Sequence, residues 1–204
     1  MARSLLTLSP ASPRYGAVAQ VFHWLIAILV LGAFILGPGG SEQRVYSPAN
    51  SGTRNLHEAL GTTVLALTTL RLLWRMWHKP PVEPPMPAWM RIAGAATHHT
   101  LYLLLFVTPL TAITGAWLEG HDIAAFGFVA LPPPISVNHA AGAVIAELHG
   151  WLGDAIIWLA GLHALAALFH HLILRDGLLR MMLPPRLGAA LPPRDMPDSA
   201  RGGG

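Results

Sequence analysis

The sequence contains no cysteine, and charged residues occupy only 11% of its 204 positions. The lack of cysteine excludes disulfides, iron–sulfur clusters, thiolate zinc sites and covalently attached c-type haem. Soluble domains carry about 25% charged residues, so the low content here argues against an ordinary soluble domain. The formal net charge is +3. Basic residues beside membrane spans account for that excess, so we expect no nucleic-acid partner.

Hydrophobic residues make up 53% of the chain, and they are concentrated in four long stretches. Each stretch has about 20 residues or more, which is enough to cross a hydrocarbon core about 30 Å thick. We therefore predict an all-α fold, a four-transmembrane-helix bundle, forming one integral membrane domain over residues 1–186. The expected helices are at about 17–36, 56–77, 97–118 and 148–174. The Pro-, Arg- and Gly-rich segment 187–204 is predicted to be a disordered tail.

The distribution of basic residues predicts the orientation of this bundle. Cations cluster before the first span, between spans two and three, and after span four. In an even-numbered bundle these three segments share one side, and the positive-inside rule makes that side cytoplasmic. Both termini are therefore predicted to be cytoplasmic. The longest outer connection, residues 119–147, is predicted to form a partly structured cap.

The chain has 11 histidines, and the spacing of two of them is informative. His149 and His163 are separated by a helical rise of about 21 Å and point within roughly 40° of each other. The predicted orientation puts His57 at the depth of His149, and His23 at the depth of His163. Two imidazoles from facing helices suit bis-histidine ligation of a non-covalent b-type haem, and two such sites would conduct electrons. Zinc fits less well, because it requires three or four ligands at one point.

Other polar residues near the spans have both functional and structural interpretations. His170 lies close to the helix face of His163, where it could protonate a quinone or sit at the membrane interface. His98 could contact a haem propionate or cap the interface. Arg71 could bind a propionate or a lipid phosphate, or extend to the membrane surface. Arg44 and Arg54 could steer an anion to the outer face or simply be solvated.

Five segments of the chain resemble the prokaryotic cytochrome b561 family over about residues 14–186. They are FHW at Phe22–Trp24, LHEALG from Leu56, LHGWLGDA from Leu148, GLHALAALFHH at Gly161–His171 and DGLLRMMLP from Asp176. The resemblance implies a multi-pass di-haem protein of the bacterial inner membrane. It also implies that the ligands of two haem b groups fall on His23, His57, His149 and His163.

The resemblance implies two alternative functions. One branch of the family is similar to superoxide oxidases, which oxidise periplasmic superoxide and reduce ubiquinone. Other relatives are cytochrome b subunits that pass electrons between a quinone and a partner redox protein. Both alternatives involve membrane lipid and a quinone, and neither predicts the oligomeric state.

Overall fold

The computed structural model describes residues 14–184, and four long helices dominate it. They are α1 (Ala17–Ile35), α3 (Ser51–Trp77), α4 (Ala88–Leu118) and α5 (His139–Phe169), while α2 (Glu42–Val45) and α6 (Leu178–Met181) are short. A 3-10 turn covers Pro48–Asn50, and a π-helix continues α5 over His170–Leu174. The expected tail at 187–204 lies outside the described residues. The four long helices overlap the four predicted segments, but α3, α4 and α5 begin five, nine and nine residues before the predicted starts at 56, 97 and 148.

Local sequence explains where these helices begin and end. The connection between α3 and α4 contains Pro80, Pro81, Pro84, Pro85 and Pro87, and α4 begins at the residue after the last of them. Proline lacks the backbone N–H that a helix interior requires, but it is tolerated immediately before one. The side chain of Asn138 accepts a hydrogen bond of 3.1 Å from the Ala141 amide and so caps α5. At the other end, Arg175 and Gly177 adopt positive φ angles and terminate the helical run.

Three of the four long helices, α1, α4 and the α5–π-helix run, are long and apolar enough to cross a membrane. The remaining one, α3, carries Arg54, Glu58, Arg71 and Arg75 along its length, which lowers its hydropathy. The large apolar side chains on the outside of the bundle, including Ile28, Trp158 and Ile173, are exposed. They form the kind of surface that lipid covers. A membrane protein with several spans follows, whereas the fourth span and the cytoplasmic termini remain predictions.

The fold departs from all-α at the predicted cap. Strands β1 (Ile123–Ala125) and β2 (Val129–Leu131) form an antiparallel hairpin, and its turn uses positive φ angles at Phe126 and Gly127. The structure therefore places a hairpin in the connection that we expected to be a partly structured cap. We call this end of the bundle the hairpin face. The opposite end, with residues 14–16 and 175–184, is the terminal face.

The long helices pack as two pairs. Helix α1 packs mainly against α3, and α4 mainly against α5, while α1 and α5 make few contacts. Within residues 14–184 the backbones of α3 and α5 likewise approach each other only weakly. The predicted histidine pairs lie between the two helix pairs.

Candidate functional site

The structure brings together both histidine pairs that the sequence predicted. The ring centroids of His57 and His149 are 5.9 Å apart, and those of His23 and His163 are 6.3 Å apart. Metal–imidazole bonds are about 2 Å long, so two rings on opposite sides of one metal ion have centroids roughly 6 Å apart. The spacing of both pairs therefore fits ligation of one iron by each pair.

At the hairpin-side pair, backbone carbonyls orient both imidazoles. His57 Nδ1 donates a hydrogen bond of 2.8 Å to the carbonyl of Ala33, which lies in the last turn of α1, where carbonyls lose their helical partners. His149 Nδ1 donates one of 2.9 Å to the carbonyl of Thr108 in α4. With Nδ1 as the donor, the neutral form of each ring has its lone pair on Nε2, which is then available to ligate a metal.

Glycines next to the hairpin-side pair leave room for a flat macrocycle. Gly61 and Gly153 follow His57 and His149 by one helical turn, on the same faces of α3 and α5. A Cβ atom added to either glycine would meet no atom within 4 Å. Both glycines nevertheless are only partly exposed. Open space beside the ligands, together with free Nε2 atoms, is what a b-type haem requires, so these residues fit the group.

A third imidazole joins the terminal-side pair. His98, on α4, has its ring centroid 5.3 Å from that of His163. Arg71 Nη1 of α3 lies 3.5 Å from His23 Nδ1, and the Arg71 guanidinium carbon lies 5.5 Å from the centroid of the Tyr102 ring. Both predicted accessory residues, His98 and Arg71, therefore border the same pair of histidines.

A cationic cavity opens beside this pair on the terminal face. It has a volume of about 300 Å³, and its lining includes four cations and, among the described residues, no carboxylate. The cations are Arg14, Arg71, Arg75 and Lys79. Burial raises the pKa of Tyr15, which also lines the cavity, so its phenol stays neutral and can donate a hydrogen bond. Such a lining attracts anionic groups, which include the propionates of a haem.

His170, seven residues after His163, has a partner that the sequence did not predict. Its Nδ1 is 2.5 Å from Asp176 Oδ2, and the other oxygen of Asp176 accepts from the amide of Leu178 at 3.0 Å. The carboxylate therefore fixes the orientation of the imidazole and leaves Nε2 for proton exchange. The Asp176-Gly177 sequence is a turn signal, but the sequence does not show that the turn, with positive φ angles at Arg175 and Gly177, places the aspartate beside the histidine.

Of the two arginines expected in the outer connections, Arg54 lies in α3 and is paired with a carboxylate, whereas Arg44 is exposed. Arg54 Nε lies 3.4 Å from Glu58 Oε1, and Arg44 donates a hydrogen bond to the carbonyl of Gly39. A cavity of about 310 Å³ at the hairpin face is lined by Arg54, but also by Glu58 and Asp122. The two carboxylates outnumber the one arginine in this lining, so the cavity gives an anion no electrostatic advantage.

Comparison of the sequence with known proteins identifies a family of cytochromes. The sequence profile described as prokaryotic cytochrome b561 matches residues 14–185. Cytochrome b561 homolog 2 of Escherichia coli is 33% identical over 173 residues, which cover 83% of this chain and 91% of the relative. Cytochrome b562 of Cereibacter sphaeroides is 32% identical, over 85% of this chain and 98% of the relative.

A further relative carries the name of an enzyme. The probable superoxide oxidase CybB of Yersinia pestis is 29% identical over 177 residues, covering 86% of this chain and 98% of the relative. The profile match extends over the region that contains both histidine pairs. The chain belongs to the prokaryotic cytochrome b561 family, whose members are membrane electron-transport proteins that bind b-type haem.

Proposed function

We propose that this chain binds two haem b groups and transfers electrons across the bacterial inner membrane, from superoxide at the hairpin face to ubiquinone at the terminal face. His57 and His149 would ligate one iron, and His23 and His163 the other. The observation that carries the proposal is the meeting of both histidine pairs across facing helices, at 5.9 and 6.3 Å. Bound haem would supply reversible one-electron redox chemistry at both depths of the membrane.

The residues around the pairs have distinct roles in this proposal. The carbonyls of Ala33 and Thr108 hold the hairpin-side imidazoles in the tautomer that leaves Nε2 free. Arg71 would bind a propionate of the terminal-side haem, because it lies close to His23 and lines a cavity in which the described residues include no carboxylate. His98 would contact the same haem from α4. Asp176 orients His170 through its Nδ1 atom, and the Nε2 atom of the same ring would donate a proton to the quinone.

The overall reaction balances with these substrates. Two superoxide anions give two molecules of O₂ and release two electrons. Ubiquinone takes up those two electrons and two protons to become ubiquinol. The superoxide assignment comes from the relative named as a probable superoxide oxidase, which aligns over 98% of its own length.

The ligand assignment is tested by counting haems in the purified full chain. The wild type should contain two haems b per chain, measured as the pyridine haemochrome. His57→Ala and His149→Ala should each retain one haem, as should His23→Ala and His163→Ala. His99→Ala is the matched control, because His99 is an exposed histidine whose Nδ1 bonds the Ala95 carbonyl of its own helix.

His98→Ala separates an axial ligand from an accessory residue. It should keep both haems, because His98 is proposed to contact the macrocycle and not the iron. Loss of a haem in His98→Ala, with full content in His23→Ala, would replace His23 by His98 in the ligand assignment. Unchanged content in all four ligand variants would refute bis-histidine binding altogether.

A second candidate function is an electron-transfer subunit that docks a partner redox protein. Two features of the hairpin face favour it: the carboxylates that line its cavity, and the aromatic tip of the hairpin. Phe128 is 83% exposed and lies beside Phe126. Exposed aromatic residues are common at the centres of protein interfaces.

Rapid mixing with superoxide distinguishes the two functions. A superoxide oxidase should consume superoxide faster than spontaneous dismutation and form one ubiquinol for every two superoxide anions. His170→Gln should slow ubiquinol formation while keeping both haems, because only proton delivery is removed. A rate equal to spontaneous dismutation would reject the oxidase and leave the subunit function.

A further inference from the structure

Four side chains with metal-ligating atoms, none of which belongs to either histidine pair, converge on the hairpin face. They are Glu42 of α2, Glu119 at the end of α4, His121 in the following loop and His139 at the start of α5. His139 Nδ1 lies 2.6 Å from Glu119 Oε2, and His121 Nε2 lies 3.1 Å from Glu42 Oε1. One such atom from each of Glu42, Glu119 and His139 lies within 4.8 Å of the other two.

Packing holds two members of this cluster in position. The Glu119 side chain is only 8% exposed and crosses directly over Gly142, where an added Cβ would meet its Cδ at 2.8 Å. The His121 ring stacks on Tyr46 with centroids 3.4 Å apart. Burial, with a smaller effect from Glu58, raises the pKa of Tyr46 to about 12. Tyr46 is therefore a neutral stacking partner at physiological pH.

We propose that Glu42, Glu119 and His139 bind one divalent transition-metal ion of the Zn²⁺ type, with His121 as the fourth ligand. Zinc bonds to imidazole nitrogen and carboxylate oxygen are about 2.0–2.2 Å long, so neighbouring ligand atoms of a tetrahedral site lie roughly 3.3 Å apart. The observed separations of 2.6 and 3.1 Å within the two pairs are close to that value. Binding would require side-chain rotations that bring the two pairs together, since the ligand atoms of Glu42, Glu119 and His139 are separated by up to 4.8 Å.

The ligand chemistry selects the class of metal ion. Two imidazoles and two carboxylates suit zinc and its neighbours, whereas Mg²⁺ and Ca²⁺ prefer oxygen ligands alone. The two carboxylate charges balance those of a divalent ion. The His139 side chain is 69% exposed, so the site is open to ions in solution. Hydrogen bonding explains each histidine–glutamate pair singly, but not the convergence of both pairs from three segments of the chain, α2, the end of α4 with the loop after it, and the start of α5.

The bound ion would tie together parts of the hairpin face that are distant in sequence. Glu42 belongs to the connection between α1 and α3, while Glu119 and His139 flank the connection between α4 and α5. The ion would therefore link the two helix pairs at the end nearest His57 and His149.

The test is calorimetric titration of Zn²⁺ into the purified full chain, without a polyhistidine tag or chelator. The wild type should bind one Zn²⁺ per chain. Glu119→Gln and His139→Ala should each weaken binding at least tenfold. Gly142→Ala should weaken it too, because it displaces the Glu119 carboxylate without removing a ligand. His99→Ala is the control and should bind as the wild type does.

Two results would overturn the proposal. One is Zn²⁺ binding in Glu119→Gln and His139→Ala that matches the wild type. The other is displacement of the bound Zn²⁺ by a moderate excess of Mg²⁺, because it would mean that oxygen ligands alone hold the ion.

Circular dichroism of each variant verifies that the helices are intact. His121→Ala, in a loop, provides a further variant that does not alter a helix and should also weaken binding.

Discussion

At the scale of single residues, backbone carbonyls and glycines determine the surroundings of the candidate haem ligands at the hairpin side. The imidazoles of His57 and His149 are each fixed by one backbone carbonyl, and glycines one turn away keep the adjoining space open. Neither device involves another functional side chain. A metal-ligating histidine generally depends on such a partner for its tautomer and ring orientation.

Replacing Gly153 by leucine should remove the hairpin-side haem without unfolding the chain. The new side chain would enter space in which no atom lies within 4 Å of the added Cβ. Leucine also favours a helix by about 1 kcal/mol relative to glycine. Haem content should fall from two per chain to one, while the helical circular dichroism persists. The control is Gly94→Leu at an exposed position of α4, which has equally open surroundings. Full haem content in Gly153→Leu would show that the macrocycle does not occupy this space.

At the scale of elements, the short segments hold the long helices together at both faces. On the hairpin face, Glu58 accepts a hydrogen bond of 2.7 Å from the amide of Ala124, and Thr62 accepts one of 2.9 Å from that of Phe126. Both acceptors belong to α3, so the hairpin is anchored beside His57. On the terminal face, Gln20 and Trp24 of α1 bond the segment that contains α6.

Gln20→Leu should destabilise the docking of this terminal segment. The Gln20 side chain is only 5% exposed, and its amide lies 3.0, 3.3 and 3.2 Å from the carbonyls of Tyr15, Met181 and Leu183. Buried acceptors left without a donor cost about 1–3 kcal/mol. We expect a lower thermal unfolding temperature and faster hydrogen exchange in residues 178–184. Thr69→Leu, at an exposed site on α3, should change neither. Equal exchange in Gln20→Leu and the wild type would argue against this anchor.

At the scale of the whole molecule, two helix pairs border the space in which both histidine pairs meet. Among the described residues, the charged groups that line the cavity at the terminal face are cations, whereas those that line the cavity at the hairpin face have both signs of charge. This asymmetry is what the positive-inside rule predicts for a cytoplasmic terminal face.

The predicted topology can be measured with C-terminal fusions to the full chain. A green fluorescent protein should be fluorescent at this position, and alkaline phosphatase should be inactive, because both termini are expected in the cytoplasm. The physical reason is the cost of moving the clustered basic residues across the membrane. A fusion in the connection between α1 and α3 should give the opposite pattern and serves as the control. Active phosphatase at the C-terminus would contradict either the four-span count or the orientation.

The sequence by itself determined the membrane class, the four helical segments and the pairing of His57 with His149 and of His23 with His163. The length of the apolar segments, the positions of the basic residues and the 3.6-residue period of the helix contain that information. Each is a local property of the sequence, and in a helix that crosses a bilayer it determines the depth and the direction of a side chain. Five separate motifs also pointed to the family.

Only the tertiary structure decided which groups surround those histidines. The carbonyls of Ala33 and Thr108, the hairpin on α3 and the pairing of His170 with Asp176 depend on how distant segments pack. The same is true of Glu42, Glu119, His121 and His139, which have no recognisable spacing along the chain. Helix periodicity specifies the face that a residue occupies, but contacts between elements are set by packing and by turns such as the positive-φ residues after α5.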